Sequence, residues 1–303
     1  MSVKRCYRQT LNSPASHNLP ITRHQEARLI PTVQTILLAS NVAVSLGFLV
    51  YSSWSDYKSR EVSNKVWALY APIALALSLA DLILFDSSQL LLYGVGFGLV
   101  AGLAFLLFYA GGFGGADSKA LMCIALSLPF APILLFKPIL TGAASPLSQM
   151  IFPLTIFSNG VLFAALSGVY MVLRNVVWHK KNKVPMFSGE LADESVGKKI
   201  LVLITGYKVN ICKLKEKWHI FPMEDAIESP HQVLKRKLVV IPHDEGREKI
   251  VDRLSNAVDS GKINCYVWAT PGLPMLIFIT LGLIVALFFG DIIWVLVRFL
   301  VGG

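Results

Sequence analysis

Gly111-Gly112-Phe113-Gly114-Gly115-Ala116-Asp117-Ser118-Lys119 divides two long apolar runs. No charged residue occurs from Ser87 to Ala116, and none from Ala120 to Phe136. Glycines clustered between runs of membrane length allow a sharp turn and close backbone packing. Asp117 falls at the start of the next expected helix, at or just inside a membrane face. An ionisable group at that depth is costly and is a functional candidate by default. Asp is also a favoured N-cap, so this stretch alone leaves capping and chemistry as equal readings.

The surrounding composition says which solvent the chain meets. Of 303 residues, 54% are hydrophobic and only 16% charged, and the mean hydropathy is +0.58. That balance is a polytopic membrane protein's. The net charge of +9 sits in the first thirty residues, short loops and one polar segment. It fits cytoplasmic loops and anionic lipid, and implies no nucleic-acid partner. Cys6, Cys123, Cys212 and Cys265 form no CxxC pair and no metal-like spacing with the six histidines. No metal site, cofactor or disulfide framework is expected. The absence of HExxH argues against a membrane metalloprotease.

Read in order, residues 1–31 form a basic tail, expected to be flexible and without a cleavable signal. About 20 apolar residues suffice for one crossing. Runs of that kind cover roughly Pro31–Trp54, Val66–Phe85, Leu90–Ala110, Ser118–Phe136, Met150–Trp178 and Leu273–Val301. The fold class expected is therefore an all-α polytopic membrane bundle of about six transmembrane helices. A small cytoplasmic α/β or β-rich domain is inserted before the last helix. The division is 1–31 tail, 32–178 five-helix catalytic core, 179–270 polar domain and 271–303 sixth helix. Within the domain, Lys199–Thr205, Tyr207–Cys212 and Leu238–Ile241 read as strands. Asp244–Ser260 reads as an amphipathic helix with Ile250, Leu254 and Val258 at helical spacing.

Lys and Arg in the loops set the orientation. The loop Asp56–Lys65 and the segment His179–Lys183 are basic, the Asp86–Gln89 turn has no Lys or Arg, and 137–149 has only Lys137. The Asp56 loop, the Asp117 loop and the polar domain thus fall on the cytoplasmic side. Six crossings would then put the basic tail outside, against the same rule.

On this topology Asp56 closes the first crossing and Asp117 opens the fourth, at one face. Two carboxylates meeting at low dielectric share a proton. The ionised member takes a proton from water and the neutral member donates to a scissile carbonyl, which is aspartic proteolysis. The pair titrates as a unit, with only the helix N-terminus leaning toward charge on Asp117. Asp81, Asp86 and Asp291 fit this site less well: Asp86 as a turn residue, Asp291 as a packing or interfacial group, Asp81 as a partner inside the bundle.

At these residues a family resemblance enters. Gly114-Gly115-Ala116-Asp117 resembles the GxGD signature of membrane aspartyl proteases. Asp56-Tyr57-Lys58-Ser59-Arg60-Glu61-Val62-Ser63-Asn64 resembles the first catalytic motif of type IV prepilin peptidases, with Ser63 where Pro is usual. Trp268-Ala269-Thr270-Pro271-Gly272-Leu273-Pro274 resembles the C-terminal part of archaeal prepilin and preflagellin peptidases. The likeness runs from about residue 40 to the C-terminus. It implies Asp56 and Asp117 as catalytic residues and peptidase activity without methyltransferase activity. The implied partners are type IV pilin-like or archaellin precursors, cleaved between a basic segment and an apolar helix at the cytoplasmic face of the cell membrane. Gly112, Gly114, Gly115 and Asn64 are the supporting loop residues, with Asn64 bonding within its loop and capping the second helix. The glycines are expected to admit the Asp117 loop to the Asp56 helix. Lys58, Arg60, Lys65 and Lys119 read as orientation signals or lipid contacts, His179 and His219 as solvent-facing, and Trp54 and Trp178 as interfacial anchors. Lipid is a partner and an oligomer is open. The alternatives are a proton-coupled transporter or ion-binding protein using Asp81, Asp117 and Asp291, and a nonenzymatic assembly scaffold.

Overall fold

A computed structural model describes residues 23–140, 142, 144–228, 234–239, 246–272 and 274–302. Tail residues 1–22 and the expected strand's Val240 and Ile241 lie outside the described residues. Three long helices open the chain: α1 (Arg23–Ser59), α2 (Asn64–Phe85) and α3 (Leu90–Tyr109). Helix α1 begins at Arg23, and the part of it that is long and apolar enough to cross a membrane runs Thr32–Ser59.

The fourth run departs from expectation. Helix α4 is Gly115–Ser127, only 13 residues, about 20 Å at ~1.5 Å per residue. The hydrocarbon layer is about 30 Å thick, so α4 is too short to span it. Pro129, Pro132 and Pro138 follow, and each removes a backbone donor and resists helix. The chain runs irregularly to α5 (Pro146–Met150) and then to the long α6 (Phe152–Asn182). The sixth run is also broken: α10 (Met275–Phe288) and α11 (Ile292–Val301) meet at 69°. Asp291 caps α11, accepting from Trp294 N (3.0 Å) and from Ser145 Oγ (2.7 Å). Among the described residues, four helices are long and apolar enough to cross a membrane, or five if the bent pair is one span. The count of six is not reached.

Helix α4 sits in the middle of the bundle, against α1, α2, α3, α6 and α10. Its Ala120, Leu121 and Ile124 are fully buried with Leu49, Tyr70, Ala74, Val100 and Ile279. Polar side chains pin its C-terminal end. Ser127 Oγ accepts from Ser45 Oγ (2.8 Å) and bonds the Tyr70 hydroxyl (3.0 Å), while its carbonyl accepts from Ser78 Oγ (2.9 Å). In a bundle without water each such bond replaces an unsatisfied group. Helices α6 and α10 pack closely: a Cβ at Gly282 would lie 2.3 Å from Ile156 O.

The polar domain is α/β. It comprises α7 (Val196–Thr205), β1 (Tyr207–Asn210), α8 (Ile211–Glu216), β2 (Phe221–Pro222), β3 (Glu224–Glu228), β4 (Leu234–Leu238), α9 (Arg247–Asp259) and β5 (Tyr266–Thr270). One antiparallel sheet has the order β1-β5-β2, with Tyr207 opposite Ala269. The other pairs β3 with β4, Glu224 opposite Leu238. The amphipathic helix near 244–260 is α9, whose Ile250 and Leu254 enter the domain core with Val267 and Leu214. Lys199–Thr205 is helical, not a strand. A short apolar run has no decisive period, and packing against α6 decided it. The strand expected at Tyr207–Cys212 stops at Asn210, whose side chain accepts from Cys212 N (2.9 Å) and starts α8.

Candidate active site

Asp56 lies in the last turn of α1, not in the loop beyond it. Ser55 and Ser59 tie that turn to Glu61 O, at 2.8 and 3.2 Å. Arg60 takes a left-handed backbone (φ 57°) that ends the helix. Ser63, standing where the resembling family has Pro, is the N-cap of α2 and accepts from Lys65 N (3.4 Å). The cap expected of Asn64 is thus made by its neighbour. Asn64 Oδ1 instead accepts from Lys119 Nζ (2.7 Å), joining the start of α2 to the first turn of α4.

Asp117 is the third residue of α4. Its Oδ2 accepts from Gly114 N (2.9 Å), so it satisfies one of the donors left free at a helix start. Gly111 has φ +75°, which only glycine adopts freely. A Cβ at Gly114 would come 3.2 Å from Asp117 Oδ2, so the bare glycine leaves room for the carboxylate. The expected approach of the glycines to α1 is corrected: a Cβ at Gly112 or Gly115 would meet Leu107 or Phe108 of α3. Ser118 Oγ donates to Ala104 O (3.1 Å), fastening the same turn to α3.

The Asp56 charge acts on Asp117, and the Arg60 charge, four residues on, acts on Asp56. The two carboxylates come from residues 61 positions apart, Asp56 and Asp117, and both are partly accessible. Among the described residues neither forms an ion pair. The α/β domain stands on the same side. His219, between α8 and β2, has its pKa lowered by burial and then by the charges of Arg60, Lys217 and Arg247. The Arg60 charge at the end of α1 thus reaches His219, which is only partly solvent-facing. His179 Nδ1 contacts Val184 O. Trp178 packs edge-on against Tyr266 (5.2 Å) and is a domain contact, whereas Trp54 is 58% exposed beneath Lys58.

The remaining membrane acids fall elsewhere. Asp291 is a cap, as above. Asp86 accepts from Ser88 and Gln89 at 2.5 and 2.7 Å. Asp81 and Asp86 line a cavity of about 190 Å³ with Gln34, Asn41, Ser78 and Ser127, at the other end of α4 from Asp117. Neither Asp117 nor Asp291 lines that cavity. No group of three His, Cys, Asp or Glu suited to a metal exists among the described residues. The residues missed by sequence reasoning are Lys119 as the partner of Asn64, and Ser45, Tyr70, Ser78 and Ser127 as the anchor of α4. Isolated serines recurring in charge-free runs were the one signal available.

Comparison with known proteins agrees with this geometry. Residues 43–172 match the profile described as Type IV leader peptidase family. Residues 198–292 match the one described as Archaeal Peptidase A24 C-terminus Type II. A preflagellin peptidase of Methanococcus voltae is 30% identical over 257 residues, covering 82% of this chain and 94% of that protein. A preflagellin peptidase of Methanococcus maripaludis is 26% identical over 252 residues, covering 80% and 92%. The first match spans the Asp56 and Asp117 motifs together, the second most of the α/β domain and α10. With a relative of this identity aligned along nearly its whole length, the chain belongs to the type IV leader peptidase family and is a membrane protease.

Proposed function

We propose that the chain is an aspartic endopeptidase that removes the basic N-terminal segment of archaellin or related type IV pilin-like precursors, at the cytoplasmic membrane face. One observation carries the reading: Asp56 and Asp117, on separate helices, interact through their charges and neither is locked in an ion pair among the described residues, the Arg60 charge acting on Asp56 from a distance. Two such carboxylates hold one proton between them. The ionised member draws a proton from an attacking water, and the protonated member donates to the carbonyl oxygen as the tetrahedral intermediate forms. On collapse the amine leaves with a proton and the pair returns to its starting state. The pair acts as one acid–base unit, so neither residue is assigned a fixed role.

The supporting parts follow. Helix α4 carries Asp117 and is anchored at both ends, by Ser118 and Lys119 at one and Ser127 at the other. The precursor's apolar helix lies in lipid against the bundle, and its scissile bond reaches the pair where lipid ends. The cytoplasmic side is supported by the Lys and Arg of Asp56–Lys65 and His179–Lys183.

The test is cleavage of a co-expressed archaellin precursor in membranes. Asp56→Asn and Asp117→Asn are each expected to abolish processing while the protein still inserts. Normal cleavage by either variant rejects the reading.

A further inference from the structure

Helix α7 has two apolar sides and only one of them is covered. Val202 is fully buried, while Val196, Ile200 and Ile204, one helical turn apart, are 70%, 49% and 38% exposed. Leu201 beside them is 46% exposed. A contiguous apolar face of this kind marks an interaction site. The C-terminal end of α7 is fixed on α6. A Cβ at Gly168 would meet Ile204 at 2.7 Å, and Asn175 Nδ2 donates to Leu203 O (3.0 Å) and Gly206 O (2.7 Å).

The covering partner is indicated by what the face joins. Helix α6 is one of the spans, and its outward stripe of Leu166, Val169, Tyr170, Leu173 and Val177 is more than half exposed throughout. A shallow groove lined by Ala165, Val169, Leu173 and Ile204 connects that stripe to α7 with no polar atom between. The lipid-facing surface of α6 therefore continues onto α7. Lysines lie close to both segments in the chain: Lys180, Lys181 and Lys183 at the end of α6, and Lys198 and Lys199 in the first turn of α7. Lys198 pairs with Glu194 (2.9 Å), whereas Lys180, Lys181 and Lys183 form no ion pair among the described residues.

We propose that α7 lies in the membrane–water interface, its Val196–Ile200–Ile204 face in the acyl boundary and the neighbouring lysines among anionic head groups. Helices of this pattern bind in the plane of the interface, and basic residues beside a span attract anionic lipid. The consequence is a second membrane attachment for the α/β domain. Strand β1 starts two residues after α7, and Arg174 of α6 sits 4.1 Å over the ring of Tyr207, its first residue. The domain is thus held at one height beside the end of α1.

The experiment uses the full chain in vesicles of phosphatidylcholine with phosphatidylglycerol, its native cysteines replaced. An environment-sensitive fluorophore is placed at Ile200→Cys and, as an aqueous control, at Glu248→Cys on the exposed side of α9. Leu201→Cys serves as a second reporter should the first variant fail to fold. Nitroxides on shallow acyl positions are expected to quench the α7 probe about threefold more than the control, and aqueous iodide to quench it less. Quenching of α7 by iodide as strong as at Glu248 overturns the proposal. So does shielding from both quenchers, which would mean that a second copy or another chain covers the face. In vesicles of phosphatidylcholine alone, lipid quenching is expected to fall; unchanged quenching overturns the head-group part.

Discussion

The membrane bundle and the α/β domain treat buried acids in opposite ways. In the domain, Asp225 is nearly fully buried and receives two bonds from the Arg253 guanidinium, at 3.0 and 2.8 Å. Glu224 is fully buried and meets Arg236 at 2.8 Å. Lys208 lies over the Trp268 ring (5.2 Å); burial pulls its pKa below the ordinary lysine value, Glu224 opposes this and Arg236 adds to it. In the bundle, hydroxyls and amides bond one another, and among the described residues neither Asp56 nor Asp117 forms an ion pair, although the Arg60 charge acts on Asp56. A carboxylate bonded to arginine in a buried pair serves structure. A carboxylate whose neighbour is another carboxylate is free to exchange a proton. The difference separates the acids that hold this protein together from those that can act.

That contrast can be broken by substitution. The largest effect is expected for Asp56→Asn and Asp117→Asn, each lowering precursor cleavage by about a thousandfold or more in a membrane assay, with insertion unchanged. Next comes Arg253→Met. Stranding the buried Asp225 should destabilise the α/β domain by about 3–5 kcal/mol, read as a lower melting midpoint of the domain amides in hydrogen exchange. If Arg253→Met left the domain intact while abolishing catalysis, the division of labour drawn above would be wrong. Gly114→Ala pushes a methyl group toward the Asp117 carboxylate. It should lower kcat about tenfold to a hundredfold at nearly unchanged precursor affinity, because small misplacements of a reacting group are costly. Ser127→Ala should be mildest, about 1–3 kcal/mol of bundle stability from the hydroxyl partners it strands, measured by thermal unfolding in detergent.

Much of the site was legible in the chain. The glycine-flanked Asp117 and the basic loop after Asp56 are local patterns, and both stand at helix ends as expected. The long spans α1, α2, α3 and α6 were legible too, since burial in lipid demands charge-free length. The fourth run misled, because hydropathy counts apolar residues without asking whether Pro129 and Pro132 let a helix continue. The α7 run misled for a related reason: the short, mostly apolar stretch Lys199–Thr205 fits strand or helix, and the contact with α6 goes with the helix. Asn64 was read as a cap; its true partner Lys119 is 55 positions away, beyond any local rule.

The order of residues by itself determined the long spans α1, α2, α3 and α6 and the acids at the helix ends. These depend on neighbours in the chain, through the transfer of each side chain from water and the torsions that glycine and proline permit. Only the tertiary structure decided that α4 stops short as a buried peg, that serines of α1 and α2 fasten its far end, and that Asp117 comes within reach of the Asp56 charge. Those outcomes arise from packing and electrostatics between segments remote in sequence, and such energies exist only once the helices have met.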